Sequence, residues 1–413
     1  MTTTTFTASN GTHTFFGEHA AFYGTLPAVV LRNWTVHIFD DCCHLWSSTD
    51  GGSTWVENYT PTAADNNWGA VSTMLNVWSD LYMSLWDGDY ETMIGFDSNY
   101  DSAFGVIAKS DTSGVTGSWA MIDPEPGLPA PALDTSNTVK TYSGFFSSST
   151  QTVFTAANSA TGYTTWYPRI STDFGTTWSD VTGLSANTAY SRACCSQNAG
   201  IMYAKEKNGY IYKSTDGGTT WSALTNSPTL ASAGDGESAM RMRCSKDGSV
   251  VGIVASSGTG AGSFYWSTDS GATWSSYNVI GLLGSSMGRF ADFGMSDNGQ
   301  VIAVMLEQSI SSKYWPGVVI STDSGATWTD ITSRLQYPVS SGGLPSGAPT
   351  GSTAINVSPD GAGIVQTFNQ YLDNPHTSPS GLDGYTSYAN VSFDQGLTFQ
   401  LASYDADRIE INS

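Results

Sequence analysis

Short runs of β-branched and aromatic residues recur along the whole chain, each bounded by clusters of Gly, Ser, Asp and Asn. VVGIVA at 250–255 and VIAVML at 301–306 are clear cases, and 28–32, 35–40 and 43–48 follow one another with few residues between them. Runs this short, with turn residues at both ends, predict strands joined by tight turns. No stretch reaches the roughly 18 consecutive apolar residues of a membrane-spanning helix.

The polar clusters repeat. STDGGSTW occupies 48–55, STDFGTTW 171–178, STDGGTTW 214–221, and STDSGATW both 267–274 and 321–328; a worn copy, SFDQGLTF, lies at 392–399. The long interval after the first copy predicts a degenerate one, which Ser110, Asp111, Gly114 and Trp119 fit. A second phrase precedes the later copies: CSQNAG from Cys195, CSKDGS from Cys244, MSDNGQ from Met295 and VSPDGA from Val357. The S-x-D-x-G-x-x-W phrase resembles the Asp box, or BNR repeat, of the sialidase, xyloglucanase and sortilin-type β-propellers. Its chemistry suits a hairpin turn: the Asp carboxylate accepts turn N–H groups, the Gly takes φ > 0, and the Trp ring inserts between sheets. Asp50, Asp173, Asp216, Asp269 and Asp323 are therefore read as structural carboxylates, not catalytic ones.

Each unit reads as strand A, polar turn, strand B, variable loop, strand C, box turn, strand D. Four strands per unit and seven units predict an all-β fold, a single seven-bladed propeller of four-stranded antiparallel blades with Asp boxes in the C–D turns. The blades span 26–404, ending near 59, 123, 184, 226, 279, 332 and 404. An N-terminal segment, 1–25, and a C-terminal tail, 405–413, flank them, and one of the two is expected to supply a closing strand. The start, MTTTTFTASNGTHTFFG, has no basic n-region and no apolar h-region, so it does not read as a secretory signal.

Charge narrows the partners. The 413 residues carry 15 Lys and Arg against 36 Asp and Glu, a formal charge of −21. That balance excludes a nucleic-acid footprint and disfavours an anionic membrane surface. The five cysteines, Cys42, Cys43, Cys194, Cys195 and Cys244, lack C-x-x-C spacing. They are read as small buried hydrophobes, each adjacent pair sending one thiol to a given strand face.

In this topology the A–B and C–D turns share one face of the disc and the long loops share the other. The loop face, with its long loops 61–70, 87–103, 124–138, 336–353 and 370–387, holds Trp68, Trp86, Tyr90 and Tyr337, whose rings suit sugar or protein stacking. Counting back four residues from the recurring Ser of the second phrase gives Arg192 and Arg241 at equivalent positions of adjacent blades. Arg243 shares the Arg241 face, and Arg289, Glu237, Asp292 and Glu307 fall near the same mouth. Arg192, Arg241, Arg289, Glu237, Trp68 and Trp86 form the expected ligand-binding set, the guanidinium forks suiting a carboxylate or sulfate. The plainer reading is that the Arg residues pair with acids inside an acidic protein. No cofactor is expected; Asp97, Asn99 and Asp101 alternate as a calcium candidate, though an EF-hand would need Gly and Glu where Ser102 and Ala108 stand.

The sialidase resemblance would imply an Arg triad, a Tyr–Glu nucleophile pair and an Asp acid/base. The family's R-I-P phrase is missing: the chain has Leu31-Arg32-Asn33, and Arg169-Ile170-Ser171 runs into a box. The five His residues form no H-E-x-x-H or Ser-His-Asp signature. The expectation is a non-catalytic structural or adhesive propeller on a virion or extracellular surface, a phage capsid or tail component binding protein subunits or surface glycans. The alternative is a glycoside hydrolase of sialidase-like type.

Overall fold

The computed structural model describes residues 3–6, 28–30, 36–39, 45–48, 56–59, 80–83, 93–96, 107–110, 120–122, 139–147, 149–160, 167–188, 190–207, 209–230, 240–255, 262–283, 286–310, 313–337, 349–371, 385–404 and 409–412. Among them, seven antiparallel sheets succeed one another in chain order. Sheets 1 to 6 have four strands each and begin at Ala28–Val30, Asp80–Met83, Val139–Ser147, Tyr190–Cys195, Met240–Cys244 and Ser286–Met295. Sheet 7 begins at Pro349–Val357 and has six: its own four, then Ile409–Asn412, then Thr3–Phe6 at the outer edge. Both terminal strands thus join the same sheet. The first strand of each sheet from 2 to 6 packs on the first strand of the next, and that of sheet 1 packs on that of sheet 7, so the first strands lie innermost.

The apolar runs form strands buried on both faces, which is why they read as runs and not as alternations. Along Ile302–Ile310, the second strand of sheet 6, Ile302, Val304 and Leu306 enter a cluster with Phe264, Trp266 and Phe293 between sheets 5 and 6. Ala303 and Met305 enter the next cluster, with Ile355, Val357 and Ile364 of sheet 7. Two further clusters fill the junctions of sheets 3 with 4 and 4 with 5. Among the described residues the core is therefore a series of wedges, one at each junction from sheet 3 to sheet 7. Gly294 lets two inner strands meet closely, since a Cβ there would lie 2.5 Å from the Val357 nitrogen.

The box turns are alike in all five copies among the described residues. At 171–178 the Ser171 hydroxyl donates to Asp173 at 2.8 Å and accepts the Gly175 N–H at 2.8 Å. Asp173 also accepts the Thr177 N–H at 2.8 Å and its hydroxyl at 2.6 Å, and the Trp178 indole donates to the Gly175 carbonyl at 3.1 Å. The same contacts to Ser and Asp hold the turns that begin at Ser214, Ser267, Ser321 and Ser392. The copy at 392–399 is worn in sequence but not in geometry. Gly325 takes φ +89°, and a Cβ on it would lie 2.3 Å from Trp266 of the preceding sheet. Trp328 closes that junction, stacking on Tyr277 at 5.1 Å and meeting Phe264 and Trp266 at 5.6 Å each. Of the copies at 48–55 and around Ser110 only the opening Ser48 and Ser110, each at a strand end, are described; the rest, and with it the expected structural role of Asp50, lies outside the described residues.

Box and A–B turns lie on one face, because each box donates a backbone N–H to the A–B turn of its own sheet: Phe174 to Gln151, Ser270 to Ser249, Ser324 to Gln300 and Gln395 to Ala362. The A–B turns in turn join sheet to sheet. Gln197 donates to Lys246 at 2.8 Å, Lys246 to Asp297 at 2.7 Å and Asp297 to Pro359 at 2.8 Å, and the Ser147 hydroxyl donates to the Gln197 carbonyl.

Candidate functional site

The inner strands carry the buried charge. Pairing within each sheet sets Cys195 opposite Met202, Cys244 opposite Val251, Met295 opposite Ile302 and Val357 opposite Ile364, so Arg192, Arg241, Asp292 and Ala354 occupy one level of consecutive sheets. At that level Arg241 and Asp292 each reach the following sheet. Arg241 reaches Asp292 of sheet 6 at 3.7 Å, and Asp292 accepts the Ile355 N–H of sheet 7 at 2.9 Å. Arg243, two residues further along, reaches the same carboxylate at 3.5 Å. Arg241 and Asp292 are buried, whereas 33% of the Arg243 side chain is exposed and its Nε has no hydrogen-bond partner. Two guanidiniums thus share one carboxylate.

Arg192 is also buried and donates to the Ser191 carbonyl at 2.9 Å. Across the strand it pairs in register with Lys205, whose ammonium donates to the carbonyls of Glu206, Gly209 and Leu230, the last two at 3.0 Å. Burial lowers the Lys205 pKa to about 8. These contacts anchor both a turn of sheet 4 and the connection toward sheet 5.

The structure therefore brings Arg241, Arg243 and Asp292 together and places Arg192 at the equivalent level one sheet earlier. Arg289 lies on the inner strand of sheet 6, with its side chain outside the description. Glu237, Trp68, Trp86, and the calcium candidates Asp97, Asn99 and Asp101 lie outside the described residues. No group of three metal-ligating side chains occurs among the described residues. Tyr337, read as a loop-face aromatic, packs edge-on against Phe368 at 5.3 Å. Asp292 is the residue whose part in the cluster sequence reasoning left undefined; the count that aligned the two Arg residues places it at their level one sheet further on.

The repeated Asp residues stand apart from this cluster. The Thr177 hydroxyl, followed by the Thr177 N–H and the Ser171 hydroxyl, lowers the Asp173 pKa to about 2, and the equivalent groups do the same for Asp216 and Asp269. Asp323 is lowered likewise, first by the Thr327 hydroxyl.

No protein-family model matches the sequence, and no curated protein matches it. Solved structures do. A GH74 xyloglucanase from Xanthomonas campestris superposes with a TM-score of 0.57 at 12% identity, over 98% of this chain and 60% of that one. A prolyl endopeptidase, from a study of two such enzymes, superposes with a TM-score of 0.50 at 10% identity, over 94% of this chain and 50% of that one. The fold is a β-propeller. The chain spans about 60% of the xyloglucanase's length, and at these identities the likeness is one of fold. Arg243 is the member of the charge cluster that solvent reaches.

Proposed function

We propose that the chain is a seven-bladed Asp-box propeller, and that it serves as a non-catalytic structural or adhesive module holding glycan or protein through its loop face. On this reading it is a subunit of a larger assembly on an exposed surface, such as a virion. The observation that carries it is how the repeated carboxylates are employed. Asp173, Asp216, Asp269, Asp323 and Asp394 each accept a Ser hydroxyl, a Thr hydroxyl and a Thr N–H inside their own turns. Glycoside cleavage needs one carboxyl held protonated near neutrality, and hydrogen bonds of this kind act in the opposite direction.

Binding is supported by the Arg243 side chain, which is one-third exposed beside a carboxylate it shares with Arg241. Arg289, Glu237, Trp68 and Trp86 are the proposed contacts at the mouth. Arg192 and Arg241, being buried, set the charge beneath them. Calcium at Asp97, Asn99 and Asp101 is a proposed accessory ion, with no other cofactor.

The test measures the native assembly by mass spectrometry, together with glycan-array binding and hydrolysis of fluorogenic sialosides and β-glucans. The expected result is retention in a large particle or on the array without turnover. A free monomer that hydrolyses a glycoside, and stops when Glu237→Gln is introduced, overturns the reading in favour of a sialidase-like hydrolase.

A further inference from the structure

We infer that Cys194 and Cys244 are an oxidation site, closing a disulfide between the inner strands of sheets 4 and 5 when a peroxide supplies the oxidant. Alternation along Tyr190–Cys195 divides the adjacent cysteines. Cys195 enters the wedge of Phe145, Phe154 and Met202, and Cys194 enters the next wedge, with Tyr203, Met242 and Cys244. Cys244 arrives there from the neighbouring inner strand, which packs directly on that of Cys194. The Cys194 thiol interacts with the Cys244 thiol, and both are free. Thiols already in direct interaction across two packed strands are the pair placed to bond. A bond between Cys194 and Cys195 would instead have to turn two opposed side chains to one face and break the pairing of Cys195 with Met202.

The chemistry balances with hydrogen peroxide alone. One thiolate, its proton given to solvent, attacks a peroxide oxygen; the O–O bond breaks, a sulfenic acid forms, and the departing hydroxide takes up a proton as water. The second thiol attacks the sulfenic sulfur, forming the S–S bond and releasing a second water. Two protein thiols are oxidised and one peroxide is reduced to two waters. Burial pushes the Cys194 thiol well up, the neighbouring Cys244 adds to this, and the Arg243 charge offsets it only in small part, so the reaction is slow. The product ties together the strands that carry Arg192 and Arg241, independently of any role in ligand binding.

The experiment treats the folded full-length chain with hydrogen peroxide, blocks remaining thiols, and maps peptides without reduction. The expected product joins the peptides of Cys194 and Cys244, is two hydrogens lighter than their sum, reverses with dithiothreitol, and melts about 5 °C above the reduced chain. A Cys195→Ser variant keeps the cross-link and assigns it to Cys194; a Cys244→Ser variant loses it. Should Cys244→Ser not fold, the Cys195→Ser map decides alone. A Cys194–Cys195 bond, or Cys194 and Cys244 oxidised singly to sulfinic acids in the folded chain, overturns the inference.

Discussion

Asp292→Ala is the sharpest perturbation of the charge cluster. Asp292 is 2% exposed and bonded from three sides, by Arg241, Arg243 and the Ile355 N–H. Removing one partner of a buried ion pair costs about 3–5 kcal/mol, because the remaining charge stays desolvated. The orphaned Ile355 N–H adds about 1 kcal/mol. Against this, Arg243 is a third exposed and solvent screens its share, and both guanidinium distances exceed 3.4 Å, so the lower end applies. The expected loss is about 3 kcal/mol, equivalent to roughly a hundredfold rise in the open population. Urea unfolding gives the total, and hydrogen exchange at the Ile355 amide gives the local part. Arg241→Met in the Asp292→Ala background should recover part of the loss, since it removes the stranded charge. A single-mutant cost under about 1 kcal/mol, or a double mutant as unstable as the two singles summed, would refute the claim that this pair joins sheets 5 to 7.

Three other outcomes follow from the turns. The box carboxylates titrate lower in the folded chain than in the unfolded one, to about 2 for Asp173, Asp216 and Asp269 against an ordinary 3.8, so their stabilisation is complete above pH 4 and is lost as pH falls toward 2; a urea midpoint unchanged from pH 5 to 2.5 contradicts this. Gly325→Ala puts a methyl 2.3 Å from Trp266 at φ +89° and should cost about 2–3 kcal/mol by thermal denaturation, whereas alanine at Gly217, whose Cβ meets nothing closer than 4.0 Å, should cost only the backbone strain of about 1 kcal/mol. Asp216→Asn should lower the melting temperature while leaving glycan retention on the array within twofold; a loss of retention at equal folding would make the boxes part of the binding site.

What could be read from sequence was whatever is local. The box is closed by contacts no more than four residues apart, so its eight letters contain its whole hydrogen-bond pattern, and even SFDQGLTF folds as the others do because Ser392, Asp394, Gly396 and Thr398 are all kept. The runs announced strands but not their partners, since a strand buried on both faces gives no alternation by which to assign Ile302 to one junction and Ala303 to the next. Site geometry was harder still. Arg241 and Asp292 meet across a junction between sheets, where no sequence spacing is diagnostic; the count from the repeated Ser aligned Arg192 with Arg241 and was not carried to Asp292. Cys194 and Cys244 illustrate the same limit: face alternation separates Cys194 from Cys195, but which thiol lies opposite is a fact of the neighbouring sheet.

The turn face also explains why this sequence can be so conservative in one half of each repeat and so variable in the other. Each A–B turn needs an acceptor on its second residue and, to pass the belt on, a donor there as well; Gln197, Lys246 and Asp297 supply both through the backbone, and the Lys246 and Asp297 side chains add an ion pair at 3.7 Å. Pro359 has a carbonyl but no N–H, so it accepts from Asp297 and cannot extend the series toward sheet 1. Sheet 7 has other means of holding its place: its box carbonyl at Gly396 accepts from Arg334 at 2.8 Å, and both chain termini add strands to its outer edge. Among the described residues, sheets are joined to their neighbours through the A–B turn face and through the wedges between them. On the proposed reading this is what lets the loops of the opposite face differ in length and composition from blade to blade and take up recognition.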